Sequence, residues 1–305
     1  MRNAIGIDGR EYKLLLDPGP YPGAPSNKVT RAFWNRQLKP IIEKRLAGKD
    51  DGASRAEGEL SLKKKRVVTF LDTKKGLLAK HGFTLRSRTA VENGEPVGDT
   101  EVTLKFRSPD FLIAAEYCRA ARANGGSETK LEEDIGPLQV PRGKKPVAVA
   151  EPRSIYSRFA VSTKIKTDNN LETLGDTFSQ FGVLEKSLSR DSDGEDYGAT
   201  RLHSGPAICE WVFQEAVVDL GDKLDAEFAF TLWYFSEGGT LKSLYKRATS
   251  GALDPRIAEI SFDFETRAGR IDTEAAERAT KLFIGMQEKL SVNTKEASKT
   301  ALGLP

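Results

Sequence analysis

Hydrophobic and polar positions trade places with a period of two over many short runs of this chain, the pattern of strands that bury one face. The densest group lies between Arg66 and Arg107. It contains RVVTFLD, FTLRSRT and TEVTLKFR, separated by a polar turn closing at His81-Gly82 and by the turn-rich ENGEPVGD. In the third run Val102, Leu104 and Phe106 face one way, while Glu101, Thr103, Lys105 and Arg107 face the other. In the second, Phe83, Leu85 and Ser87 oppose Thr84, Arg86 and Arg88. Arg86, Arg88, Lys105 and Arg107 therefore share a face on neighbouring strands. Like charges so placed cost free energy unless anions or carboxylates sit among them.

The same device recurs along the chain. Residues 5–16 read as a strand with Gly9, Glu11 and Lys13 on one face. Asn27 caps a helix running to Leu46, with a kink at Pro40. Residues 48–62 and 190–206 are polar and turn-rich, and are expected to be mobile loops. Ser108 is expected to cap a helix that ends at Gly125-Gly126. ETKLEEDI is a strand that brings Lys130, Glu132 and Asp134 together, and the Pro-rich stretch 136–152 is a connector. A strand over 154–167 carries Arg158, Ser162, Lys164 and Lys166 on one side, and 171–189 is mixed with helical character. ICEWVFQEAVVDLG and LDAEFAFTLWYF form a hairpin at Gly221-Asp222. In the next strand Glu259, Ser261, Asp263 and Glu265 oppose Ala258, Ile260, Phe262 and Phe264. An amphipathic helix over 273–290 presents Ala276, Ala279, Leu282, Phe283 and Met286.

The sum is an α+β protein with eight or nine antiparallel strands in a single domain, 1–305. Two arrangements satisfy it. One is a sandwich whose charged faces meet solvent. The other is a barrel with a charged lumen, whose apolar exterior is covered by helices.

Charge changes the picture. The chain has 47 basic and 44 acidic residues, a formal net charge of only +3. So even a balance argues against a nucleic-acid coat and makes any basic site local. Cys118 and Cys209 stand without a CxxC or Cys/His cluster, which speaks against zinc and against a disulfide framework. The start lacks an apolar core, and no apolar run approaches the roughly 18 residues of a membrane span, so a cytoplasmic protein without a membrane partner is expected.

The shared faces imply a chemistry. Carboxylates two residues apart on a strand lie about 6.5 Å apart, within reach of one or two hard divalent cations such as Mg2+ or Mn2+. Arginines and lysines opposite would bind a linear polyanion. Together they describe a triphosphate site, where guanidinium groups and metal would neutralise charge developing on a scissile phosphoanhydride. With only His81 and His203, a Ser/His/Asp triad has little to draw on, and no Walker or dinucleotide glycine motif is present.

RVVTFLDT…LLAKHGFTLRSRT resembles the R-x-Y-F-D-T…L…G-x-x-L-R-x-R stretch of CYTH domain proteins, the triphosphate tunnel metalloenzymes. TLKFR with Lys105 and KLEED with Lys130, Glu132 and Asp134 follow in the family's order, as do Asp219 and Glu227 on later strands. The resemblance implies an eight-stranded antiparallel tunnel that hydrolyses inorganic triphosphate, thiamine triphosphate or nucleoside triphosphate. A branch of the family makes cyclic AMP. It implies phosphate contacts from Lys13, Arg66, Arg86, Arg88, Lys105, Arg107, Lys130 and Lys164. Metal would be held by Glu11, Glu132, Asp134, Asp219, Glu227 and Glu259, with Glu11, Lys13, Glu132 and Asp134 at the catalytic centre. The expected partner is a small tri- or polyphosphate; a 5′-triphosphate end is the one nucleic-acid partner this allows. The chain departs from the family at its first strand, where GREYK keeps Glu11 and Lys13 but has Gly9 in place of a glutamate. Losing a carboxylate weakens a hard-metal shell. The alternative is therefore a catalytically degenerate binder of polyphosphate or another phosphorylated ligand, with adenylate cyclisation a more distant one.

Overall fold

The computed structural model describes residues 6–47, 55–123, 128–142, 145–148, 151, 153–167, 171–189, 197–221, 223–267, 269–270, 272–295 and 299–305. In chain order it forms β1 (Gly9–Leu16), α1 (Asn27–Phe33), a π-helical turn (Trp34–Leu38), α2 (Lys39–Leu46), β2 (Ala56–Thr73), α3 (Leu77–Lys80), β3 (Phe83–Glu92) and β4 (Glu95–Ser108). There follow α4 (Phe111–Ala123), β5 (Glu128–Pro137), β6 (Gln139–Arg142), β7 (Lys145–Ala148), β8 (Ile155–Thr167), α5 (Leu174–Gln180), α6 (Gly182–Ser189) and β9 (Leu202–Ser204). The last elements are β10 (Ile208–Asp219), β11 (Asp225–Phe235), α7 (Leu241–Ser250), β12 (Ile257–Glu265), α8 (Thr273–Lys289) and α9 (Lys299–Gly303). Among the described residues no helix is long and apolar enough to cross a membrane.

Nine strands close into a ring in the order β10-β11-β12-β1-β5-β8-β4-β3-β2, with β2 returning to β10, and β9 adds to β2 beside the ring. The pairs are antiparallel except β1 and β5, which run parallel from Gly9 opposite Glu132 to Tyr12 opposite Ile135. The wholly antiparallel expectation fails here for a reason of parity. Directions cannot alternate around a closed ring with an odd number of strands, so one neighbouring pair must agree.

Apolar faces turn outward and are covered by helices. Tyr12, Phe228, Phe262 and Phe264 meet Ile42, Phe283 and Met286 of α2 and α8 in one cluster. Phe83, Leu85, Leu104 and Val161 meet Tyr117, Cys118 and Leu184 of α4 and α6 in a second. Tyr12 stacks on Phe262 with ring centroids 4.6 Å apart. Since successive side chains alternate, burying these faces outside forces the charged faces into the ring. One end of the interior is apolar instead: Leu15, Val68, Phe70, Trp233 and Phe235 pack there with Leu302 and Leu304.

Several expectations need correction. The polar stretch 55–62 belongs mostly to β2, which starts at Ala56 and pairs with β10; residues 48–54 and 190–196 lie outside the described residues. Irregularities between Val212 and Phe213 and between Gln214 and Ala216 break the period of two on this pair. As a result Leu60 and Leu62 face the outer core while Arg66 lies on the inner face. Asp110, not Ser108, caps α4, accepting from the N–H of Leu112 at 2.7 Å, and Ser108 ends β4. Part of the 136–152 connector is the β6–β7 hairpin, hidden in the sequence because Pro141 faces Pro146 and neither donates to a ladder. The buried stripe of α8 runs through Ala275 rather than Ala276. α7 was not anticipated from the sequence, although Thr240 caps its start and Gly251, at φ 78°, closes it. The kink at Pro40 takes the form of the π turn before it: Pro40 has no N–H to return to the Arg36 carbonyl, and the wide turn absorbs that loss.

Asp72 ties β2 to α3. It is buried and accepts from the backbone N–H groups of Thr73 at 2.7 Å, Leu78 at 2.8 Å and Ala79 at 3.0 Å. Asp72→Ala is expected to destabilise the fold by about 2–3 kcal/mol in urea unfolding, because two buried donors and a third, partly buried one lose an anionic acceptor. An unchanged midpoint would contradict this role.

Candidate active site

A cavity of about 370 Å³ lies inside the ring, and its two walls differ in sign. Arg86 and Arg88 on β3, Lys105 and Arg107 on β4, and Arg158 and Lys164 on β8 line one side. Glu11 on β1, Glu132 and Asp134 on β5, and Glu259 and Asp263 on β12 line the other, with Lys13 and Lys130 among them. The ladder sets this order, with Thr103 opposite Lys164, Lys130 opposite Ser162, and Glu11 opposite both Asp134 and Asp263. The cationic face anticipated on β3 and β4 thus exists, and it faces inward.

Asp134 is the junction between the walls. Buried, it receives Lys13 Nζ at 3.1 Å, Lys105 Nζ at 3.2 Å and Arg107 Nε at 3.3 Å. Burial alone would raise its carboxyl, but Lys105, Lys13 and Arg107 hold it well below the usual carboxylate range. Lys13 also pairs with Glu11 at 2.6 Å. Burial would lower the Lys13 ammonium, yet Asp134 and Glu11 keep it above its ordinary value. Lys105 goes the other way: burial, against Asp134 but helped by repulsion from Lys13 and Arg107, pushes it down to about 8.

Arg86 has no close counter-charge, and Glu210 offsets its burial only from a distance. Among the described residues it has no ion pair or hydrogen bond, and its Nε is buried and unpartnered. Burial, followed by repulsion from Arg88, moves it well below the normal guanidinium value. Arg88 has only longer contacts, to Glu210 at 3.6 Å and Glu101 at 3.8 Å, and its Nε too is buried without a partner. Two adjacent arginines that line the cavity thus each keep an Nε–H without an acceptor among the described residues, an arrangement suited to an anion of several oxygens.

Other anticipated residues lie differently. Arg66 is tied to Glu210 at 2.7 Å through Nε and is not among the lining residues. Lys130 sits at the rim, bonded to Glu265 at 2.9 Å. Asp219 ends β10, pairing with Arg55 at 3.2 Å and accepting the Gly221 N–H at 2.6 Å, outside the lining set. Glu227 stands exposed opposite Asp263. Gly9 is explained by space: a Cβ there would meet the Phe264 carbonyl oxygen at 2.9 Å, so a glutamate cannot be restored at this position without moving β12. Glu210 was not anticipated from the sequence; its only signal was a charge within the apolar first half of β10, on the same face as Ile208 and Val212.

The acidic wall fits a hard divalent cation in kind. Glu11, Glu132 and Asp263 offer oxygen donors to one cavity. Asp263, open to solvent on one side, has its carboxyl raised to about 7 by burial and then by Glu11, Glu132 and Glu227, which Lys13 offsets only in part. Among the described residues no three such groups converge on one point.

No family model matches the chain, and no curated protein matches it. Among solved structures it is similar to HpAC1 from Hippeastrum, proposed as an adenylyl cyclase and described as having a dominant triphosphatase activity, with 14% identity over 97% of this chain and 95% of that one and a TM-score of 0.42. A protein from Bacillus halodurans proposed as an adenylate cyclase shares 12% identity over 97% of this chain and 96% of that one, with a TM-score of 0.36. One from Vibrio parahaemolyticus, likewise proposed as an adenylate cyclase, shares 10% identity over 98% of each chain, with a TM-score of 0.31. These are the kinds of protein to which the CYTH resemblance points. At such low TM-scores they carry no argument, and the functional reading rests on the cavity.

Arg86→Met is expected to make the ligand-free protein about 1 kcal/mol more stable, since an enclosed charge without a partner is removed. It should also abolish most of the thermal stabilisation that tripolyphosphate gives the wild type. Urea unfolding and melting curves with and without tripolyphosphate check both; a variant less stable than wild type yet equally stabilised by the ligand would contradict the assignment.

Proposed function

We propose that the chain is a metal-dependent hydrolase of a small triphosphate-bearing substrate, with the polyanion held inside the ring. The observation that carries this reading is the unpaired Arg86 beside Arg88: strong donors aimed into a cavity and left without an acceptor. In this reading Arg86, Arg88 and Lys164 hold one end of the phosphate chain, and Lys105, Arg107 and Lys13 meet the other. Asp134 fixes those last three cations in place, which makes it an anchor for phosphate-binding groups in preference to the metal ligand first expected. Glu11, Glu132 and Asp263, with Glu259 deeper in the cavity, would hold Mg2+ or Mn2+. When bound, that ion adds positive charge where negative charge develops on the phosphoanhydride. Enclosure by the ring strengthens each of these electrostatic contacts relative to water.

A second reading has its own support. With Asp134 committed to cations and Gly9 unable to carry a side chain, the acidic wall is thin, which favours a binder that does not turn over. Both readings share the same phosphate wall.

Phosphate release from tripolyphosphate, thiamine triphosphate and ATP, with Mg2+ or Mn2+ and after chelation, separates them. The hydrolase reading expects metal-dependent release that falls about a hundredfold in Glu11→Gln while tripolyphosphate binding persists. Binding without release in the wild type establishes the binder, and cyclic AMP from ATP without phosphate release would overturn the hydrolase reading in favour of a cyclase.

A further inference from the structure

Glu210 on β10 is a carboxylate with 1% of its surface exposed, set into the inner face of the ring beside the phosphate wall. Its Oε2 accepts from Arg66 Nε at 2.7 Å and lies 2.5 Å from a terminal nitrogen of the same guanidinium, a two-pronged contact. Its Oε1 accepts the indole N–H of Trp233 at 3.0 Å and faces an Arg88 nitrogen at 3.6 Å. Both oxygens are engaged, on neighbours supplied by three different strands. The backbone register dictates this: Glu210 lies directly opposite Trp233 on β11 and Arg66 on β2, and Val68 on β2 lies opposite Arg88 on β3.

A buried anion here calls for a reason. Removing a carboxylate from water is costly, and placing it near a site for phosphates opposes their binding by simple repulsion. Arg66, which takes the strongest contact, does not line the cavity, whereas Arg88 does. The chain Arg66–Glu210–Arg88 therefore runs from the ring wall to a cation that meets the ligand. Arg88 and Arg86 repel one another, and of the two acids that hold Arg88, Glu210 at 3.6 Å is nearer than Glu101 at 3.8 Å.

Resting on the phosphate-binding reading above, we propose that Glu210 is a positioning residue: clamped by Arg66 and Trp233, it holds Arg88 turned toward the polyanion. It touches neither substrate nor metal. The role requires that the gain from a correctly held arginine outweigh the repulsion between Glu210 and phosphate.

That balance gives the test an informative sign. Glu210→Gln keeps the shape and the acceptor for Trp233 while removing the charge. Isothermal titration of the full chain with tripolyphosphate is expected to show affinity about tenfold weaker or worse than wild type. In an Arg88→Gln background the same substitution should change affinity by no more than about twofold, because the residue through which Glu210 acts is gone. With Mg2+, the loss should appear in KM more than in kcat. Affinity unchanged or tighter in folded Glu210→Gln, or an equal loss in the Arg88→Gln background, overturns the inference while leaving the proposed function standing. If Glu210→Gln does not fold, Trp233→Phe frees Oε1 without touching the charge. A measurable loss of affinity there supports the clamp, and none overturns it. A wild-type chain that binds no tripolyphosphate overturns the proposed function and this inference with it.

Discussion

A closed ring of strands has one inside, and the choice of which faces fill it is made by the hydrophobic effect. Tyr12, Phe83, Phe228, Phe262 and their neighbours bury against helices outside the ring, at roughly 25 cal/mol for each Å² of apolar surface removed from water. Strand geometry then leaves the alternate residues no other place than the lumen. Arginines, lysines and carboxylates are carried inward by the burial of their neighbours. The charged interior is in this sense a consequence of the apolar exterior, and the strain of enclosing like charges is built in by the same alternation.

The interior relieves that strain unevenly. Lys13, Lys105 and Arg107 gather on Asp134, and Arg66 is matched by Glu210. Arg86 is left over. On the other wall Glu11 is matched by Lys13, while Asp263, without an ion pair among the described residues, has its carboxyl raised by burial and then by Glu11, Glu132 and Glu227. Arg86 and Asp263, each without an ion pair among the described residues, thus face one cavity from opposite walls. An anionic ligand accompanied by a divalent cation would satisfy both at once.

How much of this was legible in the sequence follows from which information is local. That Arg86, Arg88, Lys105 and Arg107 share one face could be read from alternation alone, as could the shared faces of Glu11 with Lys13 and of Glu132 with Asp134, but a solvated sandwich fits the same alternation, and only closure of the ring turns those faces inward. The inner placement of Arg66 depends on an irregularity paired against Val212 and Phe213, which only the partner strand reveals. Glu210 looked like a stray charge because its partners come from β2, β3 and β11, far away in sequence. Gly9 read as a lost ligand, whereas its neighbour Phe264 shows a backbone approach that excludes a side chain. Asp219 fits the family's order of residues, yet it binds Arg55 and the turn at Gly221. Spacing along the chain does not encode where a strand ends relative to the rim.

The central claim is that the unpaired guanidinium of Arg86 marks the seat of a polyphosphate. A crystal structure of the protein grown with tripolyphosphate and Mg2+ addresses it most directly. The account predicts phosphate oxygens within hydrogen-bonding distance of Arg86 Nε and of Arg88, inside the ring between β3 and β12. Tripolyphosphate bound elsewhere, or a ring that stays free of it at saturating concentration with Arg86 untouched, would contradict the account.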